Sequence, residues 1–441
     1  MVISMIERNV YLNKLIKSRG NGFPKVITGI RRCGKSYLLT EIYKKYLLDQ
    51  GIKEENIHVI DLDEEENFSY YDPIALYDHV LKICDPKEMN YIFIDEIQNV
   101  YPILNPALTG GKHVLAKEKD ENTITFAKIV LSISKKKYID LYVTGSNSKM
   151  LSTDVQTEFR DKATNINIAP LSFEEFYNYK KGDKDDALND YMIYGGMPLA
   201  VLKDTDEEKR EYLISLFETT YFKDIIERYK FRKSEALDEL CNILATCVGT
   251  LINAKKLKDA YRTKTKNSID ANTVNSYINA FKDSHLIREA NRYDVKGKNI
   301  ISSLKKYYFV DTGLRNARLN FAFPDEGQML ENIVFNELLY HRYTVNVGTY
   351  DKIEKNKDKE SVRKTYEIDF LATKGPRMYY LQIAKDISSE ETRKRELKPY
   401  IALNDQIQKI VVINKSIPEM RDANGFTIIG ITDFLLRFIK E

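Results

Sequence analysis

The sequence predicts an α/β protein with a parallel β-sheet in its first part and a second α/β region at its end. Residues 1–168 alternate short, apolar, β-rich runs with longer helical patterns, which is typical of a parallel sheet covered by helices. The runs are mostly apolar, as expected of strands that are buried on both faces. Residues 321–441 again combine strand patterns with helical ones.

Local patterns place the individual elements. Strands are expected at residues 25–28, 57–62, 91–94 and 141–144, and later at 366–373, 379–384, 409–414 and 426–430. The segment 171–232 is mostly helical, with a turn that two glycines and a proline force at 194–198. Further on, a helix capped by Asp270 precedes a turn at 296–298 between two strand-like runs, and helices followed by a basic hairpin suggest a winged helix.

The length and composition indicate a soluble protein of several domains. With 441 residues the chain is too long for one hydrophobic core, so two to four domains are expected. Hydrophobic residues make up 43% and charged residues 30%, and no apolar run is long enough for a membrane helix. Four cysteines without paired C-x-x-C spacing argue against a zinc site or a disulfide framework. The amino terminus lacks the features of a signal peptide, so a cytoplasmic location is expected.

A loop of pattern G-x-x-x-x-G-K-S follows the first strand. Its residues are Gly29, Ile30, Arg31, Arg32, Cys33, Gly34, Lys35 and Ser36. Gly29 and Gly34 permit a tight loop whose backbone N–H groups approach a phosphate. Lys35 is placed to reach the β- and γ-phosphates, and Ser36 to ligate Mg²⁺. Because a strand precedes the loop and a helix follows it, we predict an ATP site with Mg²⁺ rather than a chance glycine-lysine loop.

Two acids end the apolar strand at 91–94. Asp95 is placed to hold the Mg²⁺ shell, and Glu96 to orient or deprotonate the attacking water. Such a pair alone is most often a solvated strand end, but following the phosphate loop it indicates hydrolysis. Asn147, after the strand at 141–144, is a candidate contact to the γ-phosphate, with a polar turn as the alternative. Arg160 is a candidate arginine finger or a surface arginine.

The ordered motifs resemble one family over nearly the whole chain. They are Gly29-Ile-Arg-Arg-Cys-Gly-Lys-Ser36, Phe93-Ile-Asp-Glu-Ile-Gln98, Thr144-Gly-Ser-Asn-Ser148, Pro170-Leu-Ser-Phe-Glu-Glu-Phe176 and Tyr194-Gly-Gly-Met-Pro198. The chain resembles the prokaryotic AAA-family P-loop ATPases that carry a winged helix and a restriction-endonuclease-like carboxy-terminal domain. The resemblance implies Walker roles for Lys35, Ser36, Asp95 and Glu96, a sensor at Asn147, a finger at Arg160 and assembly into a homo-oligomer. The family often has Gly-Arg where this chain has Phe159-Arg160.

The same resemblance implies four domains. They are an AAA-type ATP-binding domain at 1–168, a helical lid at 169–235, a winged helix at 236–320 and a nuclease-like domain at 321–441. A working nuclease site of that type gathers Glu331, Asp369 and an acid or glutamine around Mg²⁺, with a lysine two residues later. Here Ala384 stands two residues after Gln382, and Lys385 is expected to point away from it. We therefore expect a degenerate structural or binding domain.

Positive charge is concentrated in residues 251–320, which carry fifteen Lys and Arg against six Asp and Glu. Within this block Lys296, Lys298, Lys305 and Lys306 could contact phosphates of duplex DNA, while Asn275 and Asn279 face a groove. A solvated charged face or a protein-binding surface is the alternative.

The function predicted from the sequence is Mg²⁺-dependent ATP hydrolysis coupled to domain movement, with duplex DNA as a candidate partner. Two alternatives remain open at this point. The first is a nucleotide-dependent switch that binds a protein partner with slow turnover, and the second is an ATP-regulated, Mg²⁺-dependent nuclease.

Overall fold

In the computed structural model the chain divides into two units, Met1–Ala169 and Pro170–Glu441. The structure describes residues 6–117, 120, 122–145, 158–231, 234–322, 325–355, 361–403 and 405–440. None of the helices in these ranges is long and apolar enough to span a membrane.

Seven strands belong to the first unit. They are β1 (Lys25–Gly29), β2 (Ile57–Asp61), β3 (Asn90–Asp95), β4 (Ile103–Leu104), β5 (Thr123–Ile124), β6 (Ile139–Gly145) and β7 (Thr164–Ile168). Five of them form a parallel sheet of order β2-β3-β6-β1-β7, and β4 pairs with β5 in a small antiparallel sheet. Because the five strands run in one direction, their carboxyl ends meet at one edge. The predicted parallel sheet is confirmed.

The helices of the first unit follow the predicted alternation. They are Asn9–Ser18, Lys35–Tyr37, Leu38–Tyr43, Lys44–Asp49, Pro73–Ile83 and Phe126–Ser134, with short 3₁₀ turns at Glu54–Asn56, Glu65–Tyr71, Ile97–Asn99 and Pro106–Leu108. Residues 35–49 are helical without a break, although the middle turn is π-helical. Asp72 begins its helix by accepting hydrogen bonds from two backbone N–H groups of the first turn.

An eight-stranded mixed sheet forms the centre of the second unit. Its strands are β8 (Ile287–Asp294), β9 (Asn299–Phe309), β10 (Thr344–Lys355), β11 (Ser361–Lys374), β12 (Arg377–Ala384), β13 (Gln408–Ile413), β14 (Met420–Arg421) and β15 (Thr427–Gly430). The order is β14-β15-β13-β12-β11-β10-β8-β9. The predicted boundary between residues 320 and 321 therefore runs through one continuous sheet, and the four-domain division stays a prediction.

Helices precede the sheet and lie between its strands, which confirms the predicted carboxy-terminal α/β region. They are Phe173–Lys180, Lys184–Tyr194, Pro198–Val201, Asp206–Ser215, Leu216–Phe222, Lys223–Tyr229, Ser234–Thr246, Ala254–Thr265, Ala271–Asp283, Thr312–Arg318, Glu326–Tyr340, Glu390–Ile401 and Ile431–Leu436, with a final 3₁₀ turn at Phe438–Lys440. As predicted, Asp270 caps its helix, and residues 295–298 connect the antiparallel strands β8 and β9.

The glycine turn predicted at 194–198 packs against a buried carboxylate. The N–H of Gly196 donates to Oδ2 of Asp311 over 2.7 Å. A Cβ on Gly195 would lie 2.2 Å from Oδ1 of Asp311, so a side chain there would collide with the acid. Burial raises the pKa of Asp311 to about 6. This motif therefore has a packing role within the second unit.

A second buried acid joins two helices of this unit. Oε1 of Glu337 accepts a hydrogen bond of 2.6 Å from the N–H of Phe173, at the start of helix Phe173–Lys180. Burial raises the pKa of Glu337 to about 8. Nε2 of His341 lies 3.9 Å from Oε2 of Glu337, but burial lowers the pKa of His341 to about 4. The imidazole is therefore neutral at pH 7 and supplies no counter-charge.

Glu337 should make the stability of the protein depend on pH. Its pKa is raised in the folded state, so between about pH 4.5 and 8 the folded chain holds a proton that the unfolded chain has released. The free energy of unfolding should therefore fall as pH rises through this window, by up to about 1.4 kcal/mol per pH unit. Glu337→Gln keeps the acceptor for Phe173 and should reduce the slope in urea unfolding by this amount, while the raised pKa values of Asp311 and Asp369 still contribute. The exposed-site control Glu235→Gln should keep it, and a Glu337→Gln profile equal to wild type contradicts the assignment.

Candidate functional site

The loop between β1 and the helical residues 35–49 has a backbone that requires glycine. A Cβ on Gly29 would lie 2.4 Å from the carbonyl oxygen of Ile168, on the adjacent strand β7. Gly34 has φ +91°, in the left-handed region, immediately before the helix begins at Lys35. A tight loop of this kind, immediately before the start of a helix, forms a concave surface of backbone N–H groups that can bind an anion.

The side chain of Lys35 is buried inside this loop. Its Nζ donates to two backbone carbonyls, Gly29 over 3.4 Å and Ile30 over 3.3 Å, and only 5% of the residue is exposed. No carboxylate in the described part of the chain forms an ion pair with it. A buried ammonium without a counter-ion is costly, so the loop holds a positive charge that a polyphosphate would neutralise.

The other loop residues divide into buried and accessible ones. Ile30 and Cys33 are buried, and burial raises the pKa of the Cys33 thiol, which lies 3.7 Å from the Ile168 carbonyl oxygen. Arg31 is half-buried, whereas Arg32 and Ser36 are exposed. The Ser36 hydroxyl is therefore accessible at the helix start, where a metal ion bound to the phosphates would need a ligand.

The two predicted acids lie at the carboxyl end of β3 and are held by Thr144 of β6. The Thr144 hydroxyl donates to Oδ1 of Asp95. In turn, the N–H of Glu96 donates to Oγ1 of Thr144 and to Oδ1 of Asp95, each over 3.2 Å. Glu96 has φ +51°, an unusual left-handed conformation for a side chain of this size, as found at functional strand ends. The parallel sheet thus fixes the Asp95 carboxylate and the Glu96 backbone relative to β6.

Two further residues, Gln98 and Asp61, lie beside the acids. The side-chain amide of Gln98 donates to Oε2 of Glu96, and its own Oε1 is buried without a hydrogen-bond partner. Asp61 ends strand β2 and is the register partner of Asp95. Burial raises the pKa of Asp61, and the charge of Asp95 adds to the rise. Gln98 and Thr144 stood within the motifs noted in the sequence, but nothing there indicated that they contact the acids.

No contact in the described part of the chain places the other two predicted catalytic residues, Asn147 and Arg160, at this edge of the sheet. Asn147 lies outside the described residues. Arg160 is exposed in a turn that follows the buried Phe159, and it makes no hydrogen bond or ion pair within the described ranges. Its role as a finger stays a prediction.

Two of the predicted nuclease-like residues, Glu331 and Asp369, surround a buried lysine from β9 together with Glu367. Gln382 instead donates to Glu396 over 3.1 Å. Nζ of Lys306 lies 2.8 Å from Oε1 of Glu331, 2.7 Å from Oε1 of Glu367 and 3.7 Å from Oδ1 of Asp369, with 1% of the residue exposed. Burial lowers the pKa of Lys306, but the three carboxylates outweigh this effect and raise the pKa above its ordinary value. Burial, reinforced by the charge of Glu331, raises the pKa of Asp369 above its ordinary value, and Lys306 opposes this rise.

This arrangement corrects one prediction. Lys306 was expected to contact phosphate, but it is buried and paired with acids, and its neighbour Lys305 is paired with Glu289 over 2.7 Å. Lys385 is directed elsewhere as expected, since its Nζ pairs with Glu326. No group of three His, Cys, Asp or Glu side chains that could hold a metal ion occurs among the described residues.

Comparison with known proteins assigns the first unit. Residues 21–177 match a family described as an AAA domain, and residues 185–325 match a domain of unknown function. An uncharacterized protein of Haemophilus influenzae is 31% identical over 442 residues, covering 98% of this chain and 99% of that protein. This chain belongs to the same family as the Haemophilus protein. An uncharacterized protein of Methanocaldococcus jannaschii is 28% identical over 393 residues, covering 85% of this chain and 77% of that protein.

Two solved structures are similar at low TM-scores. The Walker-type ATPase of Pyrococcus abyssi has a TM-score of 0.44 and 13% identity, covering 71% of this chain and 96% of that one. The ORC2 protein of Aeropyrum pernix has a TM-score of 0.36 and 10% identity, covering 75% and 92%. The AAA assignment rests on the match over residues 21–177 of this family member.

Thr144 should stabilise the carboxyl end of β3. Thr144→Val keeps the shape of the side chain but removes the hydroxyl that donates to Asp95. Because hydrogen bonds to charged groups contribute about 1.5–3 kcal/mol and Asp95 is partly exposed, we expect a loss of about 1.5 kcal/mol in urea unfolding. Thr144→Ser retains the hydroxyl and should lose much less. Equal stability of the valine and wild-type proteins would contradict this role.

Lys306 should be essential for the stability of the second unit. Lys306→Met leaves Glu331, Glu367 and Asp369 without their cation, which should cost about 3–5 kcal/mol in urea unfolding. The adjacent Lys305→Met breaks a more exposed pair and should cost no more than about 1 kcal/mol. Similar losses for the two variants would show that Lys306 is not the centre of the cluster.

Proposed function

We propose that this protein binds ATP with Mg²⁺ at the Gly29–Ser36 loop and hydrolyses it. The observation that supports this most strongly is the buried ammonium of Lys35, which contacts two carbonyls and no carboxylate within the described residues. A triphosphate would supply the counter-charge. The AAA domain matched at 21–177 contains this loop and both acids.

The residues at this edge fit a nucleotide with its metal ion. Mg²⁺ bound with a nucleotide uses the phosphates and one or two protein ligands, and Ser36 and Asp95 are proposed for that role. When bound, the ion neutralises charge that develops on the phosphate oxygens. Glu96 orients the attacking water and accepts its proton, and Thr144 holds Asp95 and Glu96 in register. Asn147 as sensor and Arg160 as a finger given to a neighbouring copy complete the proposal.

We further propose that hydrolysis moves the second unit, which acts on duplex DNA in the cytoplasm. Three helices, Ser234–Thr246, Ala254–Thr265 and Ala271–Asp283, are followed by the β8–β9 hairpin, as in a winged helix. In helix Ala271–Asp283 the apolar residues are buried, whereas Asn275 and Asn279 are exposed. These amides, with Lys296 and Lys298 in the hairpin turn, are the proposed DNA contacts.

One observation favours the slow-turnover switch as a second candidate. The amide of Gln98 holds Oε2 of Glu96, which restrains the proposed base and would slow the transfer of a proton to it. The nuclease alternative is not supported in the same way, because Lys306 pairs with the carboxylates that a metal ion would need.

Hydrolysis should depend on Glu96 and binding on Lys35. We expect the purified full chain to release phosphate from ATP with Mg²⁺, and Glu96→Gln to lower turnover by at least about 100-fold with nucleotide affinity retained, because only the base is removed. Lys35→Ala should abolish binding measured by calorimetry, because the phosphates lose their buried cation. Lys44→Ala, on the same helical segment, is the control and should behave as wild type.

The results separate the candidates. Turnover raised by duplex DNA supports the DNA-coupled ATPase, whereas tight binding with turnover that Gln98→Ala increases supports the switch. Undiminished ATP binding by Lys35→Ala would contradict the assignment of the site.

A further inference from the structure

In the second unit, the ammonium groups of three lysines lie over the rings of two stacked tyrosines. The rings of Tyr350 on β10 and Tyr366 on β11 stack with centroids 5.3 Å apart, and both residues are buried. Nζ of Lys296 lies 4.8 Å from the Tyr350 ring centroid. Nζ of Lys364 and Nζ of Lys398 each lie 5.5 Å from the Tyr366 ring centroid. The rings therefore position three ammonium groups on one face of this strand pair.

The strand register adds a fourth lysine to that face. Strands β10 and β11 are antiparallel, with Tyr350 opposite Tyr366 and Lys352 opposite Lys364. Residues two apart on a strand share a face, so Lys352 and Lys364 lie beside the tyrosines, and both are exposed. Like charges directly opposite each other destabilise a strand pair. The pairing of Lys352 with Lys364 therefore opposes the pairing of the strands and places two positive charges side by side at the surface.

The charge of these lysines is largely uncompensated. Rings attract an ammonium group without neutralising its charge. Glu354 is the carboxylate of this face that contacts the lysines in the described ranges, at 3.4 Å from Lys398, and it also accepts a hydrogen bond from Tyr366. We call Lys296, Lys352, Lys364 and Lys398 the lysine surface. Four lysines against one glutamate leave an excess of positive charge.

We infer that the lysine surface binds the phosphate backbone of duplex DNA. A protein partner would need a cluster of apolar or aromatic anchors, whereas the two rings here are buried and Val362 is the large apolar side chain exposed beside the lysines on this face of β11. Phosphates need only accessible cations that are spread over a surface. The lysine surface also continues the hairpin turn, because β8 pairs with β10 and Lys296 reaches the Asp351 carbonyl oxygen. The inference extends the DNA contact proposed above and is independent of ATP hydrolysis.

The inference is tested with the full chain and a labelled duplex of mixed sequence, by fluorescence anisotropy over a series of KCl concentrations without nucleotide. The slope of log Kobs against log [KCl] is negative, and removing one lysine that neutralises a phosphate reduces its magnitude by about 0.9. Lys352→Glu with Lys364→Glu should therefore weaken binding and reduce the slope by about 1.8. The control, Lys181→Glu with Lys184→Glu, changes the net charge equally at exposed positions outside the sheet and should keep the wild-type slope.

A single Lys352→Glu variant tests whether a loss of DNA binding could instead reflect a loss of the folded structure. It places opposite charges across the strand pair, so its melting temperature should not fall below that of wild type, while its slope should drop by about 0.9. Lys298→Glu tests the hairpin turn separately. A wild-type slope for the double variant overturns the inference, and if Lys298→Glu alone reduces the slope, the proposed DNA contact survives without the lysine surface. An equal reduction in the control, or no binding by wild type, also overturns it, and the latter removes the proposed DNA contact as well.

Discussion

The candidate site depends on the parallel pairing of β1, β6 and β3. Because these strands end at one edge, the loop after β1 and the acids after β3 lie at the same edge of the sheet. Strand β6 lies between them, and its Thr144 hydroxyl contacts both the Asp95 carboxylate and the Glu96 N–H. A shift of β6 by one residue would turn Thr144 to the other face and release both acids. The geometry of the candidate site is thus a property of the sheet.

Two buried lysines illustrate opposite uses of the same charge. Lys306 is surrounded by three carboxylates, so its charge is compensated within the fold and contributes to stability. Lys35 is equally secluded but contacts only carbonyl groups, so its charge is left for a ligand. Both lysines are buried, so burial does not distinguish them. The difference is that carboxylates surround Lys306, whereas none pairs with Lys35 among the described residues. The same comparison argues against a metal ion at Glu331 and Asp369.

The more accessible lysines of the second unit follow a similar division. Lys305 is paired with an acid, whereas Lys296 and Lys364 rest on aromatic rings and keep their charge. Net charge along the sequence could not distinguish these cases, because pairing depends on residues far away in the chain. It also missed Lys352 and Lys364, which lie outside the basic block and become neighbours only through strand register.

The sequence by itself determined the parallel sheet, the phosphate loop and the acids at a strand end, because apolar runs and glycine spacing are local signals. It also indicated the helix capped by Asp270 and the turn at 296–298. Only the tertiary structure decided that Thr144 and Gln98 contact the acids, that Lys306 occupies the nuclease-like cluster, and that β8 to β15 form one sheet. These features depend on contacts between residues distant in sequence, which burial and strand register create and no local pattern records.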